Sequence, residues 1–105
     1  MNWIEVRSKA DIDQWISRSQ SEHQTFLIFK HSTRCSISAT AKSRLERAWS
    51  PTYTTPVLYI DVLNHRDVSN YVADRLGVQH ESPQLIEVAD GNASQHLSHL
   101  AVRLP

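Results

Sequence analysis

The one cysteine of this 105-residue chain, Cys35, lies in the segment FKHSTRCSIS, which runs from Phe29 to Ser38. Two residues separate it from Ser38, the position at which a C-x-x-C redox motif carries its second thiol. In such a motif the second thiol attacks the mixed disulfide formed by the first and resolves it within the protein. A serine hydroxyl cannot do this. The spacing therefore predicts monothiol chemistry, in which an external thiol resolves the mixed disulfide.

The predicted position of Cys35, at the start of a helix, favours a reactive sulfur. Unpaired backbone N–H groups and the helix macrodipole place partial positive charge there, and thiols in such positions commonly have pKa values between about 3.5 and 7.5. The nearby cations Lys30, His31 and Arg34 add to this effect if they point toward the sulfur. A thiol of this kind also leaves mixed disulfides readily. The alternative is an inert cysteine, because free cysteines are often buried in cores.

Length and composition indicate one ordinary globular domain over residues 1–105. The chain has 11 basic and 11 acidic residues, so no net charge favours nucleic acid or an anionic membrane as a partner. No apolar run approaches the ~20 residues that span a bilayer, and the first residues lack the apolar region of a signal peptide. A single cysteine excludes an internal disulfide framework. We therefore expect a cytoplasmic protein.

Hydrophobic periodicity predicts five strands and three helices. The strands are short apolar or alternating runs, predicted at Trp3–Val6, Thr25–Lys30, Val57–Val62, Gln84–Val88 and Ala93–Ser98. Residues 90–92, with the sequence DGN, form a hairpin turn between the last two strands. The order β-α-β-α-β-α-β-β predicts a mixed sheet with helices on both faces.

Capping residues set the predicted helix ends. Ser8 caps the first helix, and Asn64 with Asp67 caps the third, which ends at Gly77. The second helix is predicted to run from Ser36 to Trp49. Its buried face is predicted to contain Ile37, Ala41, Leu45 and Ala48.

Pro83, directly before a core strand, is the second unusual feature, since proline in a sheet is confined to edges, bulges and strand starts. With Cys35 at the start of a helix and Pro83 at the start of a strand, the chain resembles the thioredoxin-like superfamily. More narrowly, it resembles the YtxJ-like family, the monothiol bacilliredoxins of the bacillithiol system. KHSTRCSIS is similar to the family pattern K-H-S-T-x-C-P-I-S, and VSNYVADRLGVQHESPQ is similar to the family's third helix and the segment before its cis-proline. SHL near the end corresponds to a family S-H-W. The similarity runs from Trp3 to Ala101.

The resemblance implies a single thioredoxin-like domain, with a central mixed β-sheet flanked by helices and a C-terminal helix that is short or missing. It implies that Cys35 is the catalytic thiol and that Pro83 is cis and abuts the sulfur. The backbone of Ser82 would form strand-like hydrogen bonds with a bound thiol or peptide. Arg34 is a candidate partner for carboxylates of the bound thiol, with Lys30 as the alternative. The start of the second helix, Ser36 to Ser38, would stabilise the thiolate and line the binding site.

The implied activity is removal of bacillithiol, or a similar low-molecular-weight thiol, from mixed disulfides on client proteins. The small thiol is then a co-substrate, the S-thiolated client proteins are partners, and no bound cofactor is expected. Sequence leaves glutathione and coenzyme A open as the thiol. A non-catalytic thioredoxin-fold binding or adaptor module is the alternative function. No metal site is predicted, because His96 and His99 have no accompanying thiol or carboxylate cluster.

Two departures from the family pattern lead to further expectations. Ser36 stands where the family has proline and restores one N–H donor beside the sulfur. The chain stops at Pro105, so little of the last helix of a full thioredoxin fold remains. An uncovered apolar sheet surface would then favour a homodimer.

Overall fold

The computed structural model describes residues 2–105, in which five strands and three α-helices follow the predicted order. The strands are β1 Trp3–Glu5, β2 Phe26–His31, β3 Val57–Asp61, β4 Gln84–Ala89 and β5 Asn92–Ser98. The helices are α1 Lys9–Glu22, α2 Ser36–Ala48 and α3 Arg66–Leu76. A short 3₁₀ helix, His99–Ala101, follows β5.

The strands form one mixed sheet in the order β1-β3-β2-β4-β5. The first three in this order are parallel, β4 is antiparallel to β2, and β5 is antiparallel to β4. β2 is the central strand and every one of its residues is buried, as the apolar run Thr25–Lys30 predicts. The predicted mixed sheet with a C-terminal hairpin is confirmed.

Helices cover both faces of the sheet, and the alternation of side chains along β2 separates the two faces. Phe26 and Ile28 pack in one core cluster with α1 and α3. Leu27 and Phe29 pack in a second cluster with α2. This alternation continues to the end of β2, so consecutive residues there face different helices.

The apolar face predicted for α2 is wrong at both of its ends. Ala41 and Leu45 are buried, but Ile37 is 41% exposed and Ala48 is exposed as well. Ser38 is buried in their place. A serine enters the core here because its hydroxyl has hydrogen-bond partners inside, and the neighbouring isoleucine is thereby turned outward.

The start of α1 and the end of α3 are as predicted. The N–H of Asp11 donates to the Oγ of Ser8 at 3.2 Å, which makes Ser8 the N-cap of α1. Gly77 ends α3 in the left-handed conformation, with φ of 67°, and its N–H donates to the carbonyl of Ala73.

The predicted cap of α3 at Asn64 is wrong, because α3 begins at Arg66 and His65 occupies the N-cap position. The side-chain amide of Asn64 instead donates to a carboxylate oxygen of Asp61 at 2.8 Å. The carboxylate of Asp61, at the end of β3, therefore holds Asn64 in the loop before the helix. Asp67 lies in the first turn of α3.

The segment after β5 covers the sheet surface that was expected to be open. Val102 is fully buried in the α2-side cluster, and Leu104 packs against it. The large hydrophobic residues exposed in the described chain, Ile37, Leu63 and Leu100, lie outside the strands. The argument for a homodimer through an uncovered sheet therefore loses its basis. No helix within residues 2–105 is long and apolar enough to cross a membrane.

Candidate active site

Four connecting segments meet at one edge of the sheet, which we call the site edge. His31 lies opposite Asp61, so β2 and β3 both end there. Lys30 lies opposite Gln84, so β4 begins there, and Gln84 lies opposite Ser98, so β5 ends there. The segments that meet at the site edge are 32–35, 62–65, 79–83 and 99–101.

Cys35 lies at the site edge, half-buried, as the N-cap residue of α2 with extended backbone angles (φ −107°, ψ 120°). Its N–H donates to the carbonyl of Ser32 at 3.1 Å, and its carbonyl accepts the first helical hydrogen bond, from the N–H of Ala39, at 3.0 Å. The N–H groups of residues 36–38 precede that bond and lie at the positive end of the helix macrodipole. The sulfur thus lies at a helix N-terminus and is not enclosed in the core.

Ser38, at the position of the second thiol, is fully buried. Its Oγ accepts a hydrogen bond from the N–H of Ser32 at 3.0 Å and lies 2.8 Å from Nδ1 of His31. Burial lowers the pKa of His31, which favours the neutral imidazole. The Ser38 hydroxyl and Nδ1 of His31 both have a partner when the hydroxyl donates to Nδ1 and the imidazole proton is on Nε2.

The Ser38 hydroxyl therefore joins the end of β2, the turn before Cys35 and the first turn of α2. It has no exposed surface, so the expectation that Ser38 lines the substrate-binding site does not hold. Its contacts instead give this serine a role in fixing the position of the turn that carries Cys35.

Replacing Ser38 with alanine is expected to lower the free energy of unfolding by about 2 kcal/mol, because the buried Nδ1 of His31 and the half-buried N–H of Ser32 lose their partner. Ser19→Ala is the matched control, since Ser19 is also fully buried and its Oγ accepts the N–H of Gly91 at 2.9 Å, in the β4–β5 turn away from the site edge. Urea unfolding measures both variants. The rate of Cys35 alkylation should change in Ser38→Ala and stay at the wild-type value in Ser19→Ala. Equal rates in both variants would contradict the role of Ser38 in fixing the turn that carries Cys35.

The three cations near Cys35 in sequence do not converge on the sulfur. Lys30 faces α3, where its Nζ donates to the carbonyl of Ser69 at 3.0 Å, whereas His31 faces α2. The prediction that Lys30 pairs with a bound thiol is therefore wrong, since side chains alternate along β2 and this one is fully buried. Arg34 is exposed in the turn directly before Cys35, and no ion pair found within residues 2–105 includes it.

Ser82 and Pro83 lie at the site edge, immediately before β4, and the peptide bond between them is cis, as the resemblance implies. Pro83 is buried, and its carbonyl accepts a hydrogen bond from the N–H of His99 at 2.9 Å. The hydroxyl of Ser82 is buried without a hydrogen-bond partner. Ser36 is exposed at the first position of α2.

The site edge holds no cluster of metal ligands in the part of the chain that the structure describes. Within residues 2–105 no group of three or more histidine, cysteine or carboxylate side chains is placed to bind a metal. Nε2 of His99 instead lies 2.8 Å from a carboxylate oxygen of Glu81, which joins the segment after β5 to segment 79–83.

Sequence reasoning missed an apolar rim at the site edge. We use this name for Ile37, Leu63 and Leu100, which are 41%, 46% and 68% exposed. They lie in the first turn of α2, in the loop after β3 and in the 3₁₀ helix after β5. Leu63 and Leu100 could have been noticed in the sequence, because they are single large apolar residues outside the periodic patterns of helices and strands.

The sequence matches, over residues 4–104, the protein family described as monothiol bacilliredoxin BrxC. Among solved structures, a candidate oxidoreductase with a thioredoxin fold is 28% identical, with a TM-score of 0.77 and coverage of 96% of this chain and 86% of that one. The predicted thioredoxin-like fold is confirmed.

Two thioredoxins with lower identity support the fold alone. Thioredoxin O2 from Arabidopsis thaliana, in its oxidised state, is 13% identical with a TM-score of 0.74, and the match covers 95% of this chain and 84% of that one. Thioredoxin from Fasciola hepatica is 14% identical with a TM-score of 0.70, and the match covers 91% and 86%.

Proposed function

The chain belongs to the monothiol bacilliredoxin family, and from this premise we propose that it removes bacillithiol, or a similar low-molecular-weight thiol, from mixed disulfides on client proteins. Cys35 is the catalytic residue in this proposal. The observation that carries it is a half-buried cysteine at the N-terminus of α2 with a buried serine, Ser38, in the place of a resolving thiol. Such a site is suited to thiol–disulfide exchange through one sulfur.

The reaction has two exchange steps. The thiolate of Cys35 attacks the bacillithiol sulfur of the mixed disulfide, a disulfide forms between Cys35 and bacillithiol, and the client sulfur leaves as a thiolate that takes up a proton. An external thiol, as thiolate, then attacks the bacillithiol sulfur and releases Cys35 as a thiolate. The net reaction is an exchange, in which the client sulfur is released as a thiol and bacillithiol passes to the external thiol in a new mixed disulfide.

The backbone around Cys35 can support both steps. The N–H groups of residues 36–38 point out of the start of α2 and stabilise negative charge on the sulfur, whether it attacks or leaves. Ser36 contributes one of these donors, which the family proline would lack. The backbone of Ser82, beside Pro83, forms hydrogen bonds with the extended chain or thiol that carries the second sulfur.

The apolar rim supports the proposal that one half of the mixed-disulfide substrate is a protein. The rim residues come from three segments that begin at the site edge, where Cys35 also lies. Exposed apolar residues at the same end of the sheet as a reactive centre favour contact with a protein surface. A small hydrophilic thiol alone would gain little from them.

The direct test uses the reduced protein and a purified client protein that carries bacillithiol on one cysteine. Intact mass spectrometry should show transfer of one bacillithiol to the protein, located on Cys35 by peptide mapping, together with free client thiol. The adduct should persist until an external thiol is added. Parallel reactions with glutathione and coenzyme A mixed disulfides rank the three thiols. Absence of any transfer would favour the non-catalytic adaptor module instead.

Reversing the charge of Arg34 is expected to raise the KM for a bacillithiol mixed disulfide about fivefold, with a small change in kcat. Bacillithiol carries carboxylates, and an exposed pair of this kind contributes roughly 1 kcal/mol. Steady-state kinetics of Arg34→Glu measures the effect. Arg18→Glu is the control, because Arg18 is an exposed arginine on α1, on the other face of the sheet. Equal effects of the two substitutions would argue against a specific contact at Arg34.

A further inference from the structure

Lys30 is an unusual residue, a lysine with no exposed surface near the end of the central strand. Its Nζ has two neutral neighbours, the carbonyl of Ser69 at 3.0 Å and Nδ1 of His80 at 3.3 Å. No ion pair found within residues 2–105 joins it to a carboxylate. Burial and the nearby Arg66 lower its pKa to about 8. A buried cation without an opposite charge destabilises a fold, so this one calls for a function.

The contacts of Lys30 join three elements at the site edge. Lys30 belongs to β2 and Ser69 to α3, while His80 lies in segment 79–83, directly before β4. The hydroxyl of Ser69 is also 3.1 Å from Nδ1 of His80. The side chain of Gln84 donates to the carbonyl of Gln79 at 3.1 Å. Hydrogen bonds from side chains in the protein interior thus hold Gln79 and His80, the first two residues of segment 79–83.

We propose that Lys30 is a positioning residue, which holds segment 79–83 through His80 and thereby places Ser82 and Pro83 beside Cys35 for binding of the mixed disulfide. Its effect on activity rests on the proposed function. Its effect on the position of segment 79–83 is independent of that function and can be measured without turnover.

The chemistry of the contact explains why a lysine suits this place. A hydrogen bond donated by an ammonium group to the imidazole is stronger than one between neutral groups. A methionine would fill a similar volume without a charge to desolvate, but β2 would then have no side-chain hydrogen bond to His80. The geometry therefore predicts an unusual combination, in which the apolar variant is more stable and yet less active.

The experiment compares wild-type protein with Lys30→Met. In the variant we expect a higher urea midpoint, at least tenfold faster hydrogen exchange at the amide of His99, which donates to the carbonyl of Pro83, and a KM for the mixed disulfide raised about fivefold. Alkylation of Cys35 by iodoacetamide should stay within twofold of wild type, because the sulfur and its turn are unchanged. Lys9→Met, which removes the same charge from an exposed site, is the control and should match wild type in exchange and KM.

Unchanged exchange at the amide of His99 in Lys30→Met would overturn the proposal. An unchanged KM in Lys30→Met would also overturn it when the wild-type protein is active. If Lys30→Met fails to fold, His80→Phe removes the other partner and keeps an aromatic ring. This variant should show the same changes in exchange and KM but a lower urea midpoint, because the buried ammonium group loses a hydrogen-bond partner. If wild-type protein shows no transfer of bacillithiol, the proposed function fails. The exchange measurement then still decides whether Lys30 positions the segment.

Discussion

Replacing Cys35 with serine is expected to reduce transfer of bacillithiol at least about 1000-fold, because the chain has no other thiol. The folded state should be at least as stable as wild type. Cys35 is the N-cap of α2 with extended backbone angles and forms no side-chain capping bond. Serine is a preferred N-cap residue, and its oxygen can accept an N–H of the first turn, for a gain of roughly 0.5–1 kcal/mol.

Steady-state turnover and urea unfolding of Cys35→Ser test the two expectations together. A loss of activity without loss of stability assigns the chemistry to the sulfur and not to the integrity of the site edge. Ser36→Ala, one residue further along the exposed first turn, is the control, because its backbone N–H is kept and only the hydroxyl is lost. Residual turnover above a few per cent of wild type in Cys35→Ser would place the reaction elsewhere.

Most of the fold could be predicted from the sequence because its signals are local. The apolar run that became β2, the Ser8 cap of α1 and the turn at Gly77 each depend on a few neighbouring residues. The mixed sheet with helices on both faces followed from the order of the elements, in which parallel crossovers precede a hairpin. The position of Cys35 at the start of α2 followed from the same signals.

The arrangement inside the site could not be predicted in this way. Hydrophobic periodicity placed Ile37 in the core because it considers only the type of residue. The structure buries Ser38 instead, since His31 and the N–H of Ser32 are its partners there. These partners belong to a different element, and residue spacing within α2 carries no information about them.

The error at Lys30 was avoidable in part. Residues next to each other on a strand point to opposite faces, so Lys30 and His31 could not both approach the sulfur from β2. Grouping cations by distance along the chain ignored this alternation. What no sequence pattern could indicate is that Lys30 would be fully buried and hydrogen-bonded to Ser69 and His80.

Burial of Lys30 should make the protein more stable as the pH rises above 8. The pKa of Lys30 is lowered from its ordinary value of 10.5 to about 8 in the folded state. Between these two values the unfolded chain binds more protons than the folded one, so the free energy of unfolding increases with pH. Below pH 8 both states are protonated, and the whole destabilising effect of the buried charge is present.

Between pH 7 and pH 9.5 this group alone should add about 2 kcal/mol to the free energy of unfolding. The measurement should stop there, because burial raises the pKa of Tyr53 and Tyr59, and such phenols lower stability once the unfolded chain begins to ionise near pH 10. Urea unfolding at several pH values gives the curve for wild type and for Lys30→Met, which should lack this rise. If both proteins rise in parallel, other groups are responsible. If the free energy of unfolding rises with pH in wild type only, the charge of Lys30 destabilises the protein at neutral pH, and an apolar side chain would remove this cost. Such a cost is expected of a lysine that is retained because it holds segment 79–83 in place.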